Sequence, residues 1–205
     1  MKNLIQIALS CLIIILFSFS TLSATVSGTY YDDFEGAYDT ELWTNVSNGS
    51  ISANCGSVAG DALYFRGNGT RSATTVPFVN NEVTVSFYLK IGTGSAPCEN
   101  ADQVDGENIV LEYSNDGSTW TILNTYLADD PNFASFYHIT ENIPASGKAV
   151  QVRIRQLTHS GDPYDHWSID NFRMSSTIPT LSEWAAIILG GLFAIAGGWF
   201  IWRRV

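Results

Sequence analysis

Acidic side chains near both ends of the central segment have the types and spacing of a cation site. Asp33 and Glu35 alternate in a strand-like segment near its start, and Asp170 lies in a strand-like segment near its end. Alternation places Asp33 and Glu35 on the same face of one strand, and the first and last strands of a β-sandwich commonly lie close together. Carboxylates that converge there repel one another unless a cation joins them, and Ca²⁺ accepts both carboxylate and carbonyl oxygens. The pattern predicts a structural calcium site at Asp33, Glu35 and Asp170, to which Asp61 could add a ligand; the alternative is exposed charge at strand ends and turns.

A second acidic cluster follows Cys98 and comprises Glu99, Asp102, Asp105 and Glu107. Its spacing differs from that of the calcium-binding loop of EF-hand proteins. A solvated acidic loop is the simpler interpretation, and a second cation site is the alternative.

No arrangement of side chains identifies a catalytic centre. Paired carboxylates can hydrolyse glycosidic bonds, but the separation that decides this chemistry cannot be obtained from the sequence. Ser160 lacks the flanking residues of a nucleophile elbow, and the histidines lack metal-ligand spacing. Tyr137, Tyr164 and Trp43 could stack on a sugar ring, although aromatic residues in β-sandwiches more often fill the core. The sequence therefore predicts a protein that is not an enzyme.

The N-terminus has the pattern of a secretory signal peptide. Lys2 supplies a positive charge, residues 4–19 form an apolar run, and small residues follow directly. This order predicts a signal peptide over residues 1–24 that directs the chain out of the cytoplasm. The alternative is an N-terminal membrane anchor that is retained.

The C-terminus has the pattern of a membrane-spanning helix. Residues 185–202 contain no charged side chain, and a helix of this length spans about 27 Å, close to the ~30 Å hydrocarbon core of a bilayer. Trp184, Trp199 and Trp202 lie near its edges, where indole rings favour the interface. Arg203 and Arg204 predict that the C-terminus stays in the cytoplasm, so that the preceding domain lies outside.

Two cysteines remain once the predicted signal peptide, which contains Cys11, is removed. In an oxidising compartment Cys55 and Cys98 are expected to form one disulfide. Metal ligation is the alternative, but neither a Cys-x-x-Cys nor a Cys-His spacing supports it.

The region between the termini has the pattern of an all-β domain, predicted here over residues 25–175. Apolar residues alternate with polar ones in 83–91 and again in 150–155. Two further strand-like segments, 109–113 and 119–123, flank a turn that contains Asp116-Gly117, a strong hairpin signal. Many short strands joined by Gly- and Asn-containing turns predict a β-sandwich of the jelly-roll type.

The exported part is strongly acidic. The chain has 20 acidic and 10 basic residues, and Lys2, Arg203 and Arg204 account for three of the ten. Such a surface repels nucleic acid and suits divalent cations or a basic partner, although solubility explains most of these charges.

An ordered set of short motifs resembles the subrepeats of reelin. The similar stretches, in chain order, are Asp32-Asp33-Phe34-Glu35-Gly36, Trp43, Asn54-Cys55-Gly56, Ala62-Leu63-Tyr64-Phe65, Gly69-Thr70-Arg71, Pro97-Cys98, Leu111-Glu112-Tyr113-Ser114-Asn115-Asp116-Gly117, Trp120 and Tyr164-Asp165-His166-Trp167-Ser168-Ile169-Asp170-Asn171. The resemblance implies a jelly-roll β-sandwich, a Cys55–Cys98 disulfide and a structural calcium in the region of Asp33, Glu35 and Asp170. The resemblance does not imply the receptor binding of reelin, because that binding depends on particular surface residues in one region of reelin.

The last thirty or so residues resemble the IPTL-type sorting signals of Gram-negative bacteria. The resemblance rests on Ile178, Pro179, Thr180, Leu181 and Trp184, followed by the apolar segment and the arginine pair. It implies that residues 176–205 are processed by an exosortase-like membrane peptidase. The alternative is a single-pass anchor that is not cleaved.

These observations together predict an exported, surface-anchored binding or adhesion module with a structural calcium. A carbohydrate-binding module and a glycan hydrolase of the cell envelope are the alternatives. The expected partners are the processing peptidase, the membrane and a surface ligand that is a glycan or a protein.

Overall fold

The computed structural model of the chain describes residues 28–79, 82–102, 105–144 and 146–176, together with the helical residues Ile188, Gly191 and Leu192. The predicted signal peptide lies outside the described residues, as do the sorting motif at 178–184 and most of the predicted membrane-spanning segment. Within the described part of the chain, no helix is long and apolar enough to cross a membrane.

The described domain is built from antiparallel strands and one short 3₁₀ helix. In chain order these elements are β1 (Thr29–Asp32), β2 (Trp43–Ser47), β3 (Gly49–Ile51), β4 (Leu63–Phe65), β5 (Ser72–Thr75), β6 (Phe78–Val79), β7 (Val83–Ile91), β8 (Ile109–Ser114), β9 (Thr121–Tyr126), the 3₁₀ helix (Pro131–Ala134), β10 (Tyr137–Ile143), β11 (Ala149–Gln156) and β12 (Trp167–Ser176).

The strands form two sheets. Sheet A has the order β10-β7-β12-β4-β3, with β1 also paired to β12, and sheet B has the order β2-β5-β11-β8-β9, with β6 also paired to β11. The prediction of an all-β sandwich is confirmed.

Alternation explains how the two sheets pack. In β7 every second side chain from Val83 to Ile91 is buried, and in β11 Val150, Val152 and Ile154 are fully buried. Removing this apolar surface from water stabilises the fold by about 25 cal/mol per Å². The inner faces of both sheets therefore form one core, in which Trp167 stacks on Phe65 with ring centroids 3.8 Å apart.

The predicted hairpin joins β8 and β9. Asp116 Oδ1 accepts hydrogen bonds from the backbone N–H groups of Ser118 (2.8 Å) and Thr119 (2.7 Å), and Gly117 has a φ of 73° that favours glycine. Hydrogen bonds from Thr119 and Ser118 hold the pKa of Asp116 below its usual value.

The positions of β12 whose side chains face the core change from odd to even partway along the strand. Trp167 and Ile169 face the core at odd positions, whereas Phe172 and Met174 face it at even positions. The change takes place at a β-bulge between Asp170 and Arg173, in the pairing of β12 with β7. Without the bulge, continued alternation would direct Arg173 into the core.

A disulfide joins the two loops that cover the outer face of sheet A. Cys55 lies between β3 and β4, Cys98 lies between β7 and β8, and their Cα atoms are 4.7 Å apart. Beneath these loops Tyr64 is fully buried, and its hydroxyl donates a hydrogen bond of 2.6 Å to the carbonyl of Pro97. The predicted pairing is confirmed, and its position shows that it holds a loop layer against the sheet.

We expect replacement of both cysteines, Cys55→Ala and Cys98→Ala, to lower the free energy of unfolding by about 4 kcal/mol. The bridge closes a loop with a sequence separation of 43 residues, and the chain-entropy model gives this value for such a loop. Chemical denaturation of the two proteins measures the difference. As a control, a reductant should destabilise the wild type to the level of the variant and leave the stability of the variant unchanged. Free labelling of both thiols in the native exported protein would contradict the pairing.

Candidate functional site

The edge of β12 that faces away from β7 is shared by two strands. β4 pairs with its first part, where Leu63 lies opposite Ile169, and β1 pairs with its last part, where Asp32 lies opposite Phe172. Asp170 and Asn171 therefore lie in the gap between β1 and β4. We call this region the acidic corner. It comprises Asp170 and Asn171 in the gap, Tyr31 on β1, Asp33 and Glu35 in the turn after β1, and residues 57–61 in the loop before β4.

Asp170 is the buried carboxylate of the acidic corner. It is fully buried, and its Oδ2 accepts a hydrogen bond of 2.7 Å from the backbone N–H of Val58. Its Oδ1 accepts a second hydrogen bond of 2.7 Å from the N–H of Asn171. Burial raises the pKa of Asp170 and the charge of Glu35 raises it further, although the backbone hydrogen bonds from Val58, Asn171 and Ala59 oppose this shift. The ionised form of Asp170 is therefore costly unless positive charge is added nearby.

Asp33 and Glu35 are placed differently from the prediction. β1 ends at Asp32, so both residues lie in the turn after the strand rather than on one strand face. Phe34, with a φ of 59°, buries its ring in the core, while Asp33 and Glu35 are both exposed. A buried aromatic residue between two acids explains why the acids still face the same side.

The structure brings Glu35 against the loop before β4. A Cβ atom at Gly60 would meet the carboxylate oxygens of Glu35, and Gly60 has a φ of 56°. This left-handed backbone conformation favours glycine. The hydroxyl of Ser57 donates to the Gly60 carbonyl at 2.6 Å and holds the same turn.

The remaining members of the acidic corner are Tyr31 and Asn171. The Tyr31 hydroxyl donates a hydrogen bond of 2.5 Å to Asn171 Oδ1. Desolvation raises the pKa of Tyr31, and the charges of Asp33, Asp170, Asp32 and Glu35 raise it further. Tyr31 is thus surrounded by negative charge. Asp61 is half-buried beside Gly60.

Sequence reasoning missed Asp32, which is buried and holds the turn in place. Its Oδ1 accepts from the N–H of Phe34 at 2.8 Å, and its Oδ2 accepts from the N–H of Asp39 at 2.7 Å and from the indole N–H of Trp43 at 2.8 Å. The available signal was the alternation of Asp32 with Phe34, which puts both on the buried face.

The predicted metal ligands converge in part. The charge of Glu35 acts on Asp170, and the charges of Asp33, Glu35 and Asp170 all act on Tyr31. Among the residues that the structure describes, no three His, Cys, Asp or Glu side chains are arranged as a metal site. A calcium ion at the acidic corner would therefore depend on backbone carbonyls as well as carboxylates, a ligand set that Ca²⁺ accepts. The calcium site stays a prediction.

The second acidic cluster is partly used inside the fold. Glu99 Oε2 accepts from the N–H of Asp165 at 2.7 Å. Glu107 is buried and accepts from the N–H of Asp102 at 2.7 Å and from the hydroxyl of Ser160 at 2.8 Å. These two glutamates connect neighbouring loops, which gives them a structural explanation.

The described structure is similar in fold to two adhesin domains and a xylan-binding domain of known structure. A cleaved adhesin domain of Lys-gingipain from Porphyromonas gingivalis superposes with a TM-score of 0.51 at 12% identity, covering 74% of this chain and 99% of that one. A second cleaved adhesin domain of the same protein gives a TM-score of 0.52 at 13% identity, covering 73% of this chain and 100% of that one. The CBM22-1 xylan-binding domain of Xyn10C from Paenibacillus barcinonensis gives 0.48 at 14% identity, covering 76% of this chain and 100% of that one.

Residues 48–175 match the family model for reelin subrepeat B, so the chain belongs to that family. Residues 177–204 match the IPTL-CTERM motif. Both resemblances found in the sequence are confirmed.

The acidic corner generates a prediction about pH. The raised pKa of Asp170 means that, without a cation, the folded state holds this proton more tightly than the unfolded chain does. The contribution of Asp170 to stability should therefore fall as pH rises from about 4, the ordinary pKa of Asp, through its higher folded-state pKa. In the presence of a chelator, the free energy of unfolding of the wild type minus that of Asp170→Asn should fall across this range.

Asp33→Asn, which removes one negative charge from an exposed residue of the same corner, is the control for a general effect of charge. A difference for Asp170→Asn that does not change with pH would contradict the raised pKa.

Proposed function

We propose that this protein is a non-catalytic binding or adhesion module displayed at the cell surface. The observation that carries the proposal is the junction at the end of β12. This strand is central in sheet A and ends at Ser176, and the match to the sorting motif begins at residue 177. A rigid sandwich joined to a sorting segment without a linker suits a domain held close to the envelope.

Further features support this class. The fold is similar to that of two domains named as adhesins, and residues 48–175 match the reelin subrepeat B family model. In this proposal the signal peptide exports the chain, an exosortase-like membrane peptidase processes the motif, and the apolar segment at 185–202 holds the precursor in the membrane. The domain then faces away from the cytoplasm.

Carbohydrate binding is the second candidate, and a cleft favours it. A cavity of about 470 Å³ lies between the edge strands β9 and β10. Tyr137 in its lining is 49% exposed, and its ring meets that of Phe133 edge-on at a centroid distance of 5.8 Å. The side chain of Asn124 donates to Glu141 at 2.5 Å in the same cleft. An exposed aromatic ring beside amide and carboxylate groups is a combination that binds sugars by stacking and hydrogen bonding.

The function class can be tested with the full-length protein in detergent micelles. We expect it to bind a member of a panel of surface polysaccharides and matrix proteins and to release no reducing sugar from any of them. Turnover of a polysaccharide would contradict the proposal. If a neutral glycan occupies the cleft, Tyr137→Ala should weaken its binding several-fold, since an aromatic contact contributes about 0.5–1.5 kcal/mol beyond the area that it buries. Tyr164→Ala is the control, because Tyr164 is equally exposed but lies outside the cleft.

We also propose that the acidic corner binds a structural calcium ion. Asp170 is a buried carboxylate with a raised pKa, Glu35 adds charge beside it, and the 57–60 turn lies against both, with the N–H of Val58 donating to Asp170. A cation here would compensate the buried charge and connect β1, β12 and the loop before β4. Its role is to stabilise the fold.

Calcium should raise the melting temperature of the protein, and a chelator should lower it. An ion that binds only the folded state stabilises it by about 2.7 kcal/mol at one hundred times its dissociation constant. Asp170→Ala should remove most of the response, and Mg²⁺ should replace Ca²⁺ poorly because it requires a tighter octahedral shell. Asp105→Ala is the control for the second acidic cluster. Equal melting curves with calcium and with chelator would contradict the site.

A further inference from the structure

Two arginines stand side by side on the outer face of sheet B. Arg153 and Arg155 alternate along β11, and their side chains are 23% and 26% exposed. The whole chain has a formal charge of −10, so an exposed pair of positive side chains is a local exception.

One buried carboxylate fixes the position of both guanidinium groups. Glu112, on the neighbouring strand β8, accepts from Arg153 Nε at 2.7 Å through Oε2 and from Arg155 Nη2 at 2.7 Å through Oε1. Burial alone would raise the pKa of Glu112, but the hydrogen bonds from Arg155 and Arg153 outweigh it and lower the pKa. Glu112 therefore stays ionised at neutral pH, and it neutralises one of the two positive charges.

The arginine pair is also held in a fixed orientation. The guanidinium carbon of Arg153 lies 4.0 Å from the centroid of the Trp120 ring, a cation–π contact. Hydrogen bonds within the described residues use Nε of Arg153, and Nε and Nη2 of Arg155. In that part of the chain the terminal nitrogens of Arg153 and Nη1 of Arg155 have no protein acceptor. They are donors whose orientation is already fixed before a ligand arrives.

These donors line an open depression of about 470 Å³, which we call the β11 depression. Its lining consists of Thr70, Arg153, Arg155, Gln156, Leu157, Thr158 and His159. His159 Nε2 hydrogen-bonds with the carbonyl of Gly69 at 2.6 Å, so this nitrogen carries the proton. The depression thus combines positive charge with hydroxyl, amide and imidazole groups and one exposed leucine.

We propose that the β11 depression binds the carboxylate groups of an acidic polysaccharide, one that contains uronic acid residues. A guanidinium group presents paired N–H donors that match the two oxygens of a carboxylate. The exposed Thr70 and Thr158 side chains beside the arginine pair offer hydroxyl donors and acceptors suited to sugar hydroxyls. This inference rests on the proposed binding function and assigns it a place and a ligand class.

The topology favours a polysaccharide over an acidic peptide. Extended peptides commonly bind by adding a strand to a free sheet edge. β11 lies in the interior of sheet B, paired with β5 and β8 on its two sides, so its backbone hydrogen-bonding groups are already used. A ligand at the β11 depression must bind through side chains.

The position of the depression fits a domain held at a surface. The loop that contains Leu157, Thr158 and His159 lies just before β12, whereas the sorting motif follows the other end of β12. β12 has ten residues and spans roughly 33 Å at about 3.3 Å per residue. The β11 depression therefore lies near the opposite end of β12 from Ser176, which directly precedes the sorting motif.

The test compares polygalacturonate with its methyl ester, which has the same sugar backbone without the negative charge. The full-length protein in detergent micelles should bind polygalacturonate at least tenfold more tightly. Thr158→Glu should weaken this binding at least tenfold, because it adds a carboxylate to the lining of the depression without removing Arg153, Arg155 or Glu112. Thr29→Glu makes the same charge change on β1 and should leave binding unchanged. Arg155→Lys, which keeps the charge but loses the paired donors, should weaken binding several-fold.

Melting curves of each variant keep a folding defect separate from a binding defect. Equal binding of the acid and the ester, or tighter binding of poly-glutamate than of polygalacturonate, would overturn the assignment while leaving the proposed binding function intact. Loss of polygalacturonate binding on Tyr137→Ala but not on Thr158→Glu would place the ligand in the cleft between β9 and β10 and would also overturn it. Hydrolysis of the polymer would instead contradict the proposed non-catalytic function.

Discussion

The pairing of β12 is the constraint on which the rest of the domain depends. This strand pairs with β7 along one edge and shares its other edge between β4 and β1, so strands from the beginning, middle and end of the domain meet on it. Its apolar residues must face the core along its whole length, and the bulge after Asp170 makes this compatible with the sheet. The same bulge leaves Asp170 and Asn171 in the gap between β1 and β4. The acidic corner is therefore a consequence of how the core is packed.

Buried charge is tolerated in this domain because backbone groups surround it. Asp32 and Asp170 each accept hydrogen bonds from backbone N–H groups in neighbouring turns. Arg71 is fully buried and donates to the carbonyls of Gly67 and Asp165, 2.9 and 2.5 Å away, and to that of Gly161. A buried polar group without partners costs several kcal/mol, so each of these side chains fixes the loops that supply its partners.

The regular part of the fold could be predicted from the sequence, and its irregular part could not. The alternation in 83–91 and the Asp116-Gly117 turn each depend on local rules, and the structure has a strand and a hairpin there. The placement of Glu35 depends on a turn around Phe34 and on a close approach to Gly60, which lies far away in sequence. The bulge left a signal in the switch of apolar residues from odd to even positions. Alternation in 150–155 predicts that Arg153 and Arg155 share one face, but it does not predict Glu112, because only the pairing of β8 with β11 brings Glu112 between the two arginines.

The buried network around Arg71 gives the β11 depression a rigid frame. The segments whose carbonyls accept from Arg71 are the 66–71 connection and the 157–166 loop, and both contribute residues to the lining of the depression. Gln156 accepts from Arg71 at 3.1 Å at the end of β11, directly after the arginine pair. A surface whose loops are ordered before binding loses less conformational entropy when a ligand arrives. The interactions that stabilise this end of the sandwich therefore also prepare its surface for recognition, at the opposite end of β12 from the residue that leads to the sorting motif.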